Sequence, residues 1–267
     1  MKKVILLSLI FAAVVFNAQE FQGKAEYFSK RILKNGGKGF GVKQNDDAEL
    51  KKAYNEALQI ASEKMFILTF NQKEALYEKQ QYLEKPKPES DDVSVTISFS
   101  GEGKKYINLK DQTKITEDDI LGKEFLIVEK LIPLDWKLIN ETKKIGDYNC
   151  YKAELIIPVS EKDKKEYEEY LSKQQAKTSF FTKEEPKDKK IIAWYTPEIP
   201  VSVGPASYWG LPGLILELND EVAITLCSKV TLSNKGNTPI RVPNTGRVVT
   251  QEEFDIFHKD KMESLER

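Results

Sequence analysis

Apolar and polar positions change period several times along this chain. From Asp46 to Lys64, the residues Leu50, Ala53, Tyr54, Ala57, Leu58 and Ala61 recur at three-to-four spacing. That period predicts an amphipathic helix with one core-facing stripe. Asn45, Asp46 and Asp47 supply caps and negative charge at its start. The period then drops to two. Val93, Val95, Ile97 and Phe99 alternate with polar neighbours, the pattern of a half-buried strand. A Gly-containing turn at 100–104 leads into 105–109 and makes a hairpin. Short apolar runs at 23–32, 65–70, 123–128, 136–139, 150–157, 190–195, 214–218 and 222–227 predict further strands. The last two turn at Asn219-Asp220-Glu221, and residues 145–149 make another turn. Thr250 to Arg267 reads as a helix, capped by Thr250 with Glu253 and facing Phe254 and Phe257 inward.

Residues 160–190 break this pattern. Lysines and carboxylates alternate there in near balance, which describes a solvated face. Ser160 to Lys177 reads as a helix with Ser160 and Asp163 as its capping pair and Tyr167, Tyr170 and Leu171 on one face. The segment is therefore expected as a surface insertion between strands. The Pro-containing stretch 85–92 is too short to divide the chain and reads as a loop. One α+β domain, mostly antiparallel, is expected over 20–267, with an early helix, the charged helical insertion and a C-terminal helix.

The first nineteen residues stand apart. Lys2 and Lys3 precede the apolar run Val4 to Phe16, and Asn17-Ala18-Gln19 follows. This is the pattern of a secretory signal peptide. The run falls short of the ~20 residues that span a bilayer. Export to the periplasm or cell envelope is the expected address. There Cys150 and Cys227 could form a disulfide, or each could serve as a small buried hydrophobe.

Charge and chemistry narrow the function classes. With 41 Lys+Arg against 42 Asp+Glu, the chain is no general nucleic-acid binder. One histidine and two cysteines exclude the usual four-ligand zinc site. Gly37-Lys38-Gly39-Phe40-Gly41 fits neither the Walker nor the dinucleotide spacing and reads as a loop. No metal or cofactor is expected. The G-x-S-x-G and H-E-x-x-H patterns are missing. His258 lies beside Lys259 and Asp260 and reads as a surface residue. Glu198 is the one carboxylate to nominate for acid/base work, against the plainer reading that it bonds loop backbone. A non-enzymatic protein is expected, with a secreted carboxylate-dependent hydrolase as the alternative.

The most specific stretch runs from Ala193-Trp194-Tyr195-Thr196-Pro197-Glu198 through Gly204-Pro205 to Gly210-Leu211-Pro212-Gly213-Leu214-Ile215. Leu211 to Leu214 suits a type II turn with Gly213 at positive φ. Trp194, Tyr195, Tyr208, Trp209 and Leu211 on such a rigid loop could line a binding pocket or a protein contact, or could close the end of a β-core. Gly204, Pro205, Gly210, Pro212 and Gly213 form the structural turn motif. The stretch resembles the GLPGLI family, and Ile145-Gly146-Asp147-Tyr148-Asn149-Cys150-Tyr151-Lys152-Ala153 is similar to that family's G-Y-x-C-x-K-A strand, with Asp147 as an extra residue. The resemblance implies an exported Bacteroidetes-type protein of open function. The strand-rich pattern with one early helix also resembles the LolA-like lipoprotein carriers. That likeness implies a strongly curved, half-barrel-like sheet able to enclose an apolar ligand. The expectation is thus an envelope protein binding an apolar or peptide-like ligand, or an outer-membrane protein partner, through its concave side. A purely structural envelope module is the remaining alternative.

Overall fold

The computed structural model describes residues 21–33, 48–81, 102–174, 185–233 and 239–265. The signal segment, the glycine loop at 37–41 and the strand expected at 93–99 lie outside them. Among the described residues, one curved, open sheet of twelve strands dominates, with three helices. Its strands are β1 (Gln22–Arg31), β2 (Glu63–Asn71), β3 (Glu74–Lys79), β4 (Lys105–Asn108), β5 (Thr113–Ile120), β6 (Lys123–Lys130), β7 (Lys137–Ile145), β8 (Tyr148–Ile157), β9 (Lys189–Thr196), β10 (Leu214–Asn219), β11 (Ala223–Ser233) and β12 (Arg247–Val249). The helices are α1 (Ala48–Ser62), α2 (Glu161–Gln174) and α3 (Gln251–Leu265). The spatial order is β12-β6-β5-β4-β3-β2-β1-β11-β10-β9-β8-β7. Neighbours are antiparallel except β12, which runs parallel to β6.

Two meanders, β1–β6 and β7–β11, are stitched together where β1 pairs with β11. Hairpin chemistry sets each local register. Asp220 accepts from the amides of Val222 and Ala223 at 3.1 and 2.8 Å, and this side-chain turn joins β10 to β11. Gly146, at φ 57°, lets β7 reverse into β8 within two residues. β3 (EALYEK) and β5 (TKITEDDI) carry little apolar alternation of their own. They become strands because ladders on both sides hold them, and tertiary pairing overrides weak local preference.

The helices follow the sequence pattern. In α1, Ala57, Leu58 and Ala61 are buried. The capping boxes form at both later helices. The Asp163 amide donates to Ser160 Oγ at 3.0 Å, and the Thr250 amide donates to Glu253 at 2.8 Å. Phe254 and Phe257 of α3 pack on Phe125 of β6, with ring centroids 5.5 and 5.6 Å apart. None of residues 161–172 of α2 is buried, and Lys162 pairs with Asp255 of α3 across the surface.

The connection from β9 to β10 folds back into the molecule. Its segment 199–203 lies along β10: Leu214 donates its amide to the Ile199 carbonyl at 3.0 Å and Ile215 to that of Val203 at 3.2 Å. Ile199, Val201 and Val203 are fully buried among Tyr27, Phe70 and Leu216. The expected type II turn at 211–214 is not formed. The Leu214 amide bonds to Ile199 instead, and only Gly210 of the loop glycines has positive φ, at 95°. Gly213 serves another purpose: a Cβ there would sit 2.1 Å from the Thr196 carbonyl oxygen. A Cβ at Gly204 would meet Ile215 side-chain atoms at 2.6 Å. Across this junction, the buried Tyr27 hydroxyl donates to the Ile215 carbonyl at 2.7 Å, linking residues 188 apart in sequence.

Two outcomes follow. Tyr27→Phe leaves a buried carbonyl without that partner and is expected to cost about 1–3 kcal/mol in urea unfolding; a loss within error contradicts the tie. Gly213→Ala is expected to cost more than about 2 kcal/mol through backbone overlap, and Gly146→Ala, which meets only open space, about 1 kcal/mol. Equal losses contradict the close-approach account.

Candidate functional site

A cavity of about 510 Å³ opens on the concave side of the sheet. Lys114 of β5 and Ile157 of β8 both line it. In the sheet order these strands lie eight steps apart. At ~4.8 Å per step a flat sheet would separate them by about 38 Å. Only a sheet that wraps strongly brings both to one space.

The lining is laid out by arm. Lys64 and Phe66 of β2, Tyr77 of β3, Lys105 of β4 and Lys114 of β5 come from one meander. Leu134, Ile157, Tyr208 and Leu218, with Pro205 and Ala206 of the β9–β10 connection, come from the other. Ser29 and Thr225 meet between them on β1 and β11, their hydroxyls 2.9 Å apart. Burial raises the phenols of Tyr77 and Tyr208 above their usual range, so both stay neutral. Burial also lowers the ammonium pKa of Lys105 and Lys64. For Lys64 it outweighs the ion pair with Glu102.

Tyr208 is the one residue among the five nominated loop side chains that lines this cavity. Tyr195 and Leu211 are packed within a second core cluster with Ile191, Ala193 and Ile215. Trp194 points to the opposite side of β9, where Lys143 sits 4.3 Å from its ring centroid and pairs with Glu217 at 2.7 Å. The Trp209 carbonyl accepts from the Trp136 indole at 2.8 Å. Glu198 accepts from the Asn149 amide at 2.8 Å and its side-chain nitrogen at 3.0 Å. It thereby ties the two signature segments, 145–153 and 193–215, to each other.

Cys150 and Cys227 lie in one core cluster as free thiols. Burial pushes each up to about 11, so neither is a thiolate at neutral pH. His258 is half-buried on α3 and does not line the cavity. The cavity's two carboxylates are already engaged: Glu102 with Lys64 and Lys79, Asp220 with its own turn. Among the described residues no group of three or more His, Cys, Asp or Glu side chains could hold a metal ion. No helix among them is long and apolar enough to cross a membrane.

The cavity lysines were not singled out in the sequence. They belong to strands β2, β4 and β5, and nothing local distinguishes them among 41 cationic residues. Only the sheet order brings them to one space.

Residues 136–217 match the profile of a family described as "Protein of unknown function (Porph_ging)". The matched span contains both signature segments and runs from the start of β7 into β10. No curated protein matches the chain. Two solved structures of PNGF-II, in P21 and C2 space groups, are similar at 15% identity, with TM-scores of 0.49 and 0.46. The match covers 89% and 90% of this chain and 33% and 32% of theirs. The chain thus spans about a third of the length of those structures.

Proposed function

We propose that this chain is a GLPGLI-type protein, exported to the periplasm or cell envelope, that binds a small apolar ligand inside the curve of its sheet without transforming it. The observation that carries this reading is the cavity. Its volume of about 510 Å³ falls within the ~300–1,000 Å³ of ordinary small-molecule sites. Its wall combines aromatic and aliphatic side chains, Phe66, Tyr208, Leu134 and Leu218 among them, with six charged residues.

The absence of transformation is inferred from how the reactive groups are held. The thiols are protonated, Glu198 fastens one loop to another, and both cavity carboxylates have structural partners. General acid/base work needs a group poised to exchange a proton; the thiols and carboxylates are committed elsewhere, and the two buried lysines, Lys64 and Lys105, are held beside Glu102 and Asp118. The export reading rests on the signal-like first nineteen residues. The GLPGLI reading rests on the two signature segments, which the family profile spans.

Ala223 lines the cavity from the first residue of β11. Ala223→Trp fills the space without removing a polar partner. Nile red, a neutral apolar probe, is expected to bind the full chain with enhanced fluorescence. The variant is expected to lose about tenfold in affinity, close to 1.4 kcal/mol, with an unchanged far-ultraviolet circular dichroism spectrum. Undiminished binding by the folded variant rules the cavity out as the site.

A further inference from the structure

The cavity is polarised. Four cations line it, Arg31, Lys64, Lys105 and Lys114, against two carboxylates, Glu102 and Asp220. The remaining balancing charges stand behind the lining. Glu129 pairs with Lys114 at 2.7 Å, and Asp118 acts on Lys105, yet neither carboxylate lines the cavity. For Lys114 the carboxylate partner lies outside the space, and for Lys105 the largest carboxylate influence, Asp118, does too, whereas Lys64 meets Glu102 within the lining. Lys105 and Lys114 come from the β4–β5 arm. The opposing arm contributes Leu134, Ile157, Pro205, Ala206 and Leu218. Lys105 and Lys114 thus stand across the cavity from a mostly aliphatic wall, with Arg31 and Asp220 beside Ala223 at the edge of that wall.

The backbone of the floor narrows the ligand further. β1, β2, β3, β4 and β11 each run between two paired neighbours, so their main-chain groups are spent on ladders. A peptide entering there would bury amides and carbonyls without main-chain partners, which is costly. An aliphatic chain needs none.

Resting on the binding reading above, we infer that the cavity takes a single-chain amphiphile with a carboxylate head. The head sits at Lys105 and Lys114, neighbours on β4 and β5, and the chain runs past Phe66 and Tyr208 toward Leu218. A lysine kept in a desolvated place weakens the fold. Its depressed ammonium pKa fits a residue retained to meet an anion.

Titration calorimetry of the full chain with dodecanoate, dodecanol and dodecylammonium tests this. Dodecanoate is expected to bind about tenfold or more tighter than dodecanol, the worth of one charge-assisted contact. Lys105→Met is expected to lower dodecanoate affinity by about the same factor, and Lys105→Arg to retain most of it. If Lys105→Met fails to fold, Lys114→Gln reports the same loss. Dodecanol or dodecylammonium binding as tightly as dodecanoate overturns the carboxylate assignment and leaves the apolar cavity standing. A trileucine peptide binding tighter than dodecanoate also overturns it. Failure of all four probes overturns both this inference and the binding reading.

Discussion

Thr196 and Gly213 come so close that an added carbon would stand 2.1 Å from the Thr196 carbonyl oxygen. That approach lets the β9–β10 connection turn inward rather than loop into solvent. Segment 199–203 then lies along β10, and Ile199, Val201 and Val203 become core residues. Tyr27 reaches across to the Ile215 carbonyl and fastens this inward fold to the central strand β1. Because two meanders meet at β1 and β11, the junction fixes how sharply the arms approach each other. The cavity is the space this curvature leaves, and Pro205, Ala206 and Tyr208 of the same connection form part of its wall.

The charges obey a related logic. Surface pairs such as Lys162–Asp255 stand in high dielectric and contribute little to stability. Lys64 and Lys105 are different, because desolvation is the largest influence on both. Replacing such groups with apolar side chains often leaves a fold unchanged or more stable. Both are held beside carboxylates, Lys64 by Glu102 and Lys105 by Asp118, and the proposed head group would add a further negative charge there. The aliphatic arm opposite them gives the remainder of such a ligand a place to be buried.

Much of the fold was legible in the sequence, and the reasons are local. The α1 stripe, the Ser160–Asp163 and Thr250–Glu253 boxes and the Asn219-Asp220-Glu221 hairpin depend on near neighbours. β3, β5 and β12 were illegible because their strand character comes from ladders with distant segments. The glycine motif was recognisable, but its reason was not. Gly213 answers a carbonyl met only after folding rather than a turn of positive φ. Of the side chains nominated for binding on the 193–215 loop, Tyr208 is the one at the cavity. Strand alternation explains the rest: Trp194 and Tyr195 must point to opposite faces of β9. The lysines at the cavity could not be picked from sequence, since three separate strands supply them.

Native mass spectrometry of the chain, purified without detergent from the organism that makes it, addresses ligand binding most directly. One apolar carboxylic acid bound per chain is expected, released intact on collisional activation and missing from the Ala223→Trp variant. A bare chain, unchanged in mass after incubation with a lipid extract of the same cells, would contradict a ligand inside the sheet.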